Sequence, residues 1–311
     1  MRRSLLTPLS WIWRAGGAIR ISRALAAQKK LDVPVISVGA LTMGGAGKTP
    51  LVAHLAAKLR GMGRNPAILT RGYKRISREP IVIVPRGESA LVESTGDEAQ
   101  IFIRRGDAHV GIGANRYEVG RRMERELAPD LFLLDDGFQH VQLHRDRDIV
   151  LVDSEDPGAG GVFPAGRLRE PLSALARATE IVLRGGGDFS AAAPLFHSRV
   201  IPIEWVDHAT GSALPLETFR GSRVVAFCGL GNPRSFWRTL DEIGIAPLAR
   251  REFPDHHRYS LGDLESLDAA DAYLCTEKDA INMAAPCARL FWLRIDIALD
   301  REAELLERIA N

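Results

Sequence analysis

Three cysteines in 311 residues, Cys228, Cys275 and Cys287, are too few and too widely spaced to suggest a disulfide framework or a zinc cluster. That usage fits a reducing cytoplasm. An apolar run long enough to span a bilayer is also missing. The longest uncharged part of the hydrophobic N-terminal stretch lies between Arg3 and Arg14, half the roughly 20 residues a spanning helix requires. No fixed-period repeat and no low-complexity tract is present. Acidic residues are absent from residues 1–31, which hold Arg2, Arg3, Arg14, Arg20, Arg23, Lys29 and Lys30. Since the whole chain carries only +2, the remainder carries −5, and the basicity is local. This argues against a general nucleic-acid surface and for a dedicated basic N-terminal element.

That element also holds Leu5, Leu6, Leu9, Trp11, Ile12, Trp13, Ile19, Ile21 and Leu25. Arginines interrupting apolar residues, with tryptophans at headgroup depth, predict a helix lying in a membrane interface over residues 1–30. An amphipathic helix packed on the core and a cleaved signal peptide ending near Ala24-Leu25-Ala26 are the alternatives. Arg14 and Arg20 disrupt the apolar region a signal peptide needs.

The rest is a soluble globular composition, 46% hydrophobic and 26% charged, long enough for two domains. Continuous apolar runs at 35–38, 67–69, 81–84, 110–112, 131–134 and 149–152 read as strands. Helical patterns lie between several of them, at 48–60, 97–105 and 115–127. Strands that are apolar throughout, alternating with helices, predict an α/β fold of the P-loop NTPase type: a mostly parallel sheet with helices on both faces. Its domain is placed at 31–205. A polar stretch at 206–220 reads as a linker, and strands at 223–228, 272–275 and 290–295 make 221–311 a second, smaller α/β domain.

The chemistry starts where the first strand ends. Residues 34–50 run from a buried-strand pattern into Gly44-Gly45-Ala46-Gly47-Lys48-Thr49-Pro50. Backbone N–H groups of such a loop surround phosphate oxygens, the lysine faces the β and γ phosphates, and the threonine hydroxyl ligates Mg²⁺. Thr42 stands where the strict spacing has glycine. Leu131-Phe-Leu-Leu-Asp135-Asp136 delivers two carboxylates at a strand end, suited to holding Mg²⁺ beside the loop or, more simply, to capping a turn. Asp97 and Glu98 open a helix; Asp97 reads either as a cap or as an acceptor for the proton of an attacking hydroxyl, with Glu98 near the metal. Asp255-His256-His257 offers proton-exchanging groups, unless these are ordinary surface residues. Arg71 and its neighbours, and Arg167 with Arg169, are suited to phosphate or are solvated basic loops. Thr276-Glu277-Lys278-Asp279 is comparable to a guanine-reading element, but with lysine directly before aspartate the order is wrong.

These segments together resemble the tetraacyldisaccharide 4′-kinase family, the lipid A 4′-kinases of Gram-negative bacteria. The resemblance runs in order along nearly the whole chain, through Gly44–Leu51, Thr70-Arg-Gly-Tyr, Gly96-Asp-Glu, Asp135-Asp-Gly-Phe-Gln-His, Asp148-Ile-Val-Leu-Val-Asp, Gly166-Arg-Leu-Arg-Glu-Pro, Phe253-Pro-Asp-His-His and Thr276-Glu-Lys-Asp-Ala. It implies transfer of the γ-phosphoryl of ATP to the 4′-hydroxyl of a tetraacylated disaccharide 1-phosphate, with ATP and Mg²⁺ as cofactors. It further implies an anionic lipid surface at the cytoplasmic face of the bacterial inner membrane, held peripherally or monotopically, with no nucleic acid and no obligatory protein partner. Carried over, Lys48 binds the transferring phosphates; Thr49, Asp135, Asp136, Glu98 and Glu170 surround the metal; Asp97 is the base, assisted by His256 with Asp255 as its partner. Lys278 lies near the nucleotide, and Arg71, Arg116, Arg167 and Arg169 face the lipid phosphate or the transition-state charge. Because His256 lies in the second domain, closure of the domains is expected to complete the site. The family's usual Asn, Ser/Thr and Pro are replaced here by Ala40, Ala46 and Ala99, which removes no phosphate donor or carboxylate. A P-loop GTPase of the metallochaperone or switch type is the alternative, together with an ATP-binding membrane regulator that has no small acceptor.

Overall fold

A computed structural model describes residues 2–44, 47–187 and 189–310. It divides into two compact units, Met1–Arg199 with Ile297–Asn311, and Val200–Asp296. Each is described by itself.

The first unit begins with α1 (Arg2–Ala26) and continues through β1 (Val35–Ala40), α2 (Lys48–Gly61), β2 (Pro66–Thr70), β3 (Val82–Val84), α3 (Val92–Thr95), α4 (Asp97–Arg105), β4 (His109–Ile112), α5 (Arg116–Leu127), β5 (Leu131–Asp135), β6 (Arg147–Asp153), β7 (Glu180–Arg184) and the start of β8 (Leu195–Asp207). Its strands are ordered β8-β7-β6-β1-β5-β2-β4-β3. Pairs from β8 to β4 are parallel and only β3 runs antiparallel, against β4. Every residue of β1, β2, β4 and β5 is buried, which is why these strands read as continuous apolar runs. Val119 and Met123 of α5 share a core with Val35, Leu69, Phe132 and Leu134. Strand β7 and the first part of β8 were not anticipated, although Ile181-Val182-Leu183 is an apolar run as long as 67–69; it is buried between β6 and β8.

One close approach fixes the geometry between β1 and the turn after β5. A Cβ on Gly39 would stand 2.5 Å from Phe138 Cβ and 2.8 Å from Phe138 N, so the Asp-Asp turn seats against the strand only because position 39 has no side chain. Gly39→Ala is therefore expected to cost about 1–3 kcal/mol, as overpacking does. A urea midpoint equal to that of the parent would contradict this packing.

The second unit takes the rest of β8, then β9 (Ala213–Leu214), β10 (Val224–Cys228), α6 (Pro233–Glu242), β11 (Ala249–Glu252), α7 (Leu261–Glu265), β12 (Ala272–Thr276), α8 (Glu277–Ile281) and most of β13 (Leu290–Leu299). Its order is β11-β10-β12-β13, all parallel. Residues 206–220, read from sequence as a linker, are built into this unit: β9 pairs with β8, and Phe219 packs on Trp205 with ring centroids 5.6 Å apart. After β13 the chain re-enters the first unit as α9 (Glu302–Ala310), although the sequence placed residues 221–311 together in the second domain. The reason is specific contact. His54 Nε2, buried on α2, lies 2.6 Å from Glu302 Oε2, and Lys58 Nζ is 2.8 Å from Glu302 Oε1.

Candidate active site

The loop from β1 to α2 is set by pairing that sequence spacing does not reveal. Arg169 N donates to Leu41 O (2.7 Å), Met43 N donates to Arg167 O (2.9 Å), and Thr42 forms an antiparallel bridge with Leu168. Thr42 thus serves as a pairing residue where the usual motif has glycine. Gly47 closes the loop in the left-handed region (φ 81°), which favours glycine, and Lys48, Thr49 and Pro50 form the first turn of α2. The unpaired N–H groups and positive dipole end of that helix favour an anion. Gly44 precedes this turn; Gly45 and Ala46, expected to cradle phosphate, lie outside the described residues.

At the end of β5, two adjacent carboxylates meet different surroundings. Asp136 Oδ1 is 3.4 Å from Lys48 Nζ, and its Oδ2 accepts from Arg169 Nη1 (2.8 Å). Burial works to raise Asp136, but the Lys48 and Arg169 cations outweigh it and hold the carboxyl below its ordinary range. Asp135 is buried, with Oδ2 accepting from Thr70 Oγ1 (3.3 Å) and Oδ1 without a hydrogen bond. Burial, then the neighbouring charges of Glu98 and Asp136, push its pKa up to about 7 despite Lys48. A buried carboxylate oxygen left open among like charges is what a divalent cation would relieve. Among the described residues no cluster of three His, Cys, Asp or Glu groups forms a closed metal cage. Mg²⁺ does not need one, since it commonly takes one or two carboxylates together with phosphate and water. The open Oδ1 of Asp135, beside Asp136 and close enough to Glu98 to feel its charge, is therefore a place that Mg²⁺ would fit.

Glu170, expected in the metal environment, is instead committed elsewhere. It is buried, with Arg177 Nη2 2.9 Å from Oε2, and Gln139 Nε2 donates to Oε1 (3.2 Å). Glu170 thus holds Gln139, which in turn accepts from Arg169 Nη1 (3.2 Å) and donates to Ala40 O (3.2 Å). Gln139 was visible in the Asp-Asp-Gly-Phe-Gln-His run but was not singled out. Arg177, which also stacks over Phe138 at 4.5 Å, carried no sequence signal. Arg184 did not either; it sits beside Gly47 at the end of the unanticipated β7, paired with Asp153 at 2.5 Å.

Asp97 is buried at the start of α4, where its Oδ1 accepts from Glu98 N (3.0 Å). Arg116 is buried at the start of α5, its Nε without a hydrogen bond. Burial first, then Arg71, lower its pKa to about 10 against the opposing pull of Asp135 and Asp136. His140 is lowered to about 4 by burial and by Arg116, Arg145 and Arg71, so its imidazole is neutral at pH 7. Of the three cations Arg145 is already engaged, with Nη2 2.9 Å from Asp148 Oδ2. Arg167 differs, being exposed and paired with Asp156 at 3.0 Å.

In the second unit, Lys278 Nζ lies 2.6 Å from Asp255 Oδ1, while His256 Nε2 is 3.8 Å from Asp255 Oδ2. Asp255 is thus shared between a short pair with Lys278 and a longer ion pair with His256. Asp279, the residue that would have to read a guanine, is buried. It closes a capping box with Thr276 and accepts from Tyr259 Oη and Gly229 N, both at 2.8 Å. Those bonds leave it unsuited to reading a base.

The family model for tetraacyldisaccharide-1-P 4′-kinase matches residues 2–311. The chain belongs to this family. The tetraacyldisaccharide 4′-kinase of Anaeromyxobacter sp. (strain K) is 39% identical, with 95% of this chain and 86% of that protein covered. That of Dechloromonas aromatica (strain RCB) is 37% identical over 93% and 86%. The crystal structure of LpxK from Aquifex aeolicus in complex with ATP superposes with a TM-score of 0.85 at 33% identity, covering 100% of this chain and 99% of that one. The fold is shared along its length, and the reaction is that of a lipid kinase: ATP-dependent phosphorylation of the 4′-hydroxyl of tetraacyldisaccharide 1-phosphate in lipid A biosynthesis.

In this chain α1 is tied to the strip that pairs with the phosphate loop. Ser10 Oγ donates to Val162 O (2.9 Å), Trp13 Nε1 donates to Arg169 O (3.0 Å), and Trp13 meets Phe163 with ring centroids 5.0 Å apart. Leu9, Trp13, Arg20, Phe163 and Pro164 line an open groove of about 440 Å³. Leu9, Trp11, Ile19 and Leu25 remain exposed along the same helix. Among the described residues no helix is long and apolar enough to cross a membrane.

Proposed function

We propose that Lys48 and the backbone of the glycine loop hold the ATP phosphates, that Thr49, Asp135 and Asp136 hold Mg²⁺ with Glu98 beside them, and that Asp97 is the general base. The observation that carries this reading is Asp136, which at the end of β5 brings the loop lysine (3.4 Å) and Arg169 (2.8 Å) to one carboxylate next to the open oxygen of Asp135. Bound there, Mg²⁺ would supply charge that neutralises the transferring phosphates. Asp97 takes the proton of the 4′-hydroxyl as that oxygen bonds to the γ-phosphorus and the bond to ADP breaks. His256 assists the proton transfer, and Lys278 serves the nucleotide. Arg71 and Arg116, with neutral His140, receive a phosphate group; Arg169 orders Asp136, and exposed Arg167 contributes least. The apolar groove beside Trp13 receives acyl chain, and α1 holds the enzyme peripherally on the anionic cytoplasmic face of the inner membrane.

The test supplies ATP and tetraacyldisaccharide 1-phosphate in detergent micelles, with and without divalent cations. Label should reach the 4′ position only with Mg²⁺ present, stop on chelation with EDTA and resume when Mg²⁺ is restored. Transfer that persists after chelation would remove Asp135 and Asp136 from the metal role.

A further inference from the structure

The reaction uses Arg71 but none of the loop that follows it. That loop exposes Tyr73 (49%) and Ile76 (58%), and Leu91, just before α3, is the most exposed large hydrophobic side chain among the described residues (74%). Backbone bonds join these positions into one surface: Ile76 N and Ser77 N both donate to Glu93 O, at 2.8 and 2.9 Å, and Glu93 lies two residues beyond Leu91. Residues 71–78 supply Arg71, Lys74, Arg75 and Arg78 with no acidic residue; Glu79 and the exposed Glu93 at its border are the opposing charges. Exposed apolar side chains set among cations suit a surface that is both apolar and anionic. An aromatic ring at 73 suits headgroup depth.

Position in the fold supplies the second argument. The loop leaves the carboxyl end of β2. The strip that holds Ser10 and Trp13 of α1 pairs with residues 41–43, which leave the carboxyl end of β1. Since β1 and β2 both run parallel to β5, the two apolar-basic elements emerge at the same end of the sheet as Lys48 and Asp136. The loop is also seated on the catalytic helix: a Cβ at Gly96, the residue before Asp97, would stand 2.7 Å from Tyr73 O.

We propose that Tyr73, Ile76 and Leu91, with Lys74 and Arg78, form a second membrane contact that rests on an anionic bilayer. It acts together with α1, and so builds on the docking proposed above. Two contacts at the site's end of the sheet orient the enzyme for an acceptor that lies in the bilayer, where one helix alone would leave it free to swivel.

The experiment places an environment-sensitive nitrobenzoxadiazole probe on Ile76→Cys of the full chain in a Cys287→Ala background, Cys228 and Cys275 being buried. A matching probe at Leu248→Cys, an exposed apolar position of the second unit, is the control. With phosphatidylcholine vesicles containing phosphatidylglycerol, the probe at 76 should shift to the blue and the probe at 248 should not. The pair Ile76→Ser and Leu91→Ser should weaken vesicle partitioning about tenfold and raise the KM for vesicle-borne acceptor similarly, with kcat and the KM for ATP in micelles unchanged. Protein that sediments with vesicles but gives no shift at 76 overturns this contact alone. Equal shifts at 76 and 248 overturn it as non-specific adsorption, and failure to sediment overturns the membrane docking as well.

Discussion

Asp97→Asn is expected to lower kcat by about 10²–10⁴-fold, the usual contribution of a positioned general base. The substitution is nearly isosteric, and its side-chain oxygen still accepts the Glu98 N–H that Asp97 Oδ1 takes at 3.0 Å, so α4 keeps its first turn. What is lost is the ability to take a proton. ATP affinity, measured by calorimetry without acceptor, should stay within about twofold, because Asp97 is not among the groups assigned to the phosphates, and the urea midpoint should be that of the parent. A loss of kcat and kcat/KM together, with binding retained, identifies an interaction made only in the transition state. If Asp97→Asn turned over at the parent rate, Asp97 would serve only the first turn of α4, where Gly96 is the cap, and the base would have to be sought elsewhere. His256→Ala in parallel should give a smaller loss, since it assists rather than replaces the carboxylate.

Lys48→Ala should reduce kcat/KM for ATP by about 10²–10³-fold, the scale of removing one preorganised charge from a transferring phosphoryl group. Unlike Asp97→Asn, it should weaken nucleotide binding too, since the ammonium interacts with ground state and transition state alike. Its local consequence is distinct. With Lys48 gone, Asp136 keeps only Arg169, and one of the two cations holding its carboxyl below the ordinary range is lost. Lys48→Arg should recover binding better than turnover, because a planar fork does not reproduce the point charge of an ammonium. Unchanged ATP affinity in Lys48→Ala would move the phosphates away from the start of α2.

The strands and helices around the loop were legible because their signals are local. The apolar runs of β1, β2 and β5 are buried on both faces, and the starts of α2, α4 and α5 carry their own turn or cap residues, including Asn115, whose side chain accepts from Glu118 N. The return of α9 to the first unit was not legible, because it depends on partners far away in sequence, His54 and Lys58 for Glu302.

The same division holds for the site. Sequence by itself determined the chemistry on offer: a glycine loop ending in Lys48-Thr49, a paired carboxylate at a strand end, an acidic helix start and a basic, Trp-bearing N terminus. Each is a contiguous run whose residue types already dictate what it binds. Tertiary structure decided which charges were already spent. It paired Glu170 with Arg177, Asp255 with Lys278 and Asp279 with Tyr259, while leaving an oxygen of Asp135 open and Arg116 short of a partner. The reason is electrostatic: a buried charge is set by neighbours within a few ångströms. Those neighbours arrive from other strands in an order the linear sequence does not contain.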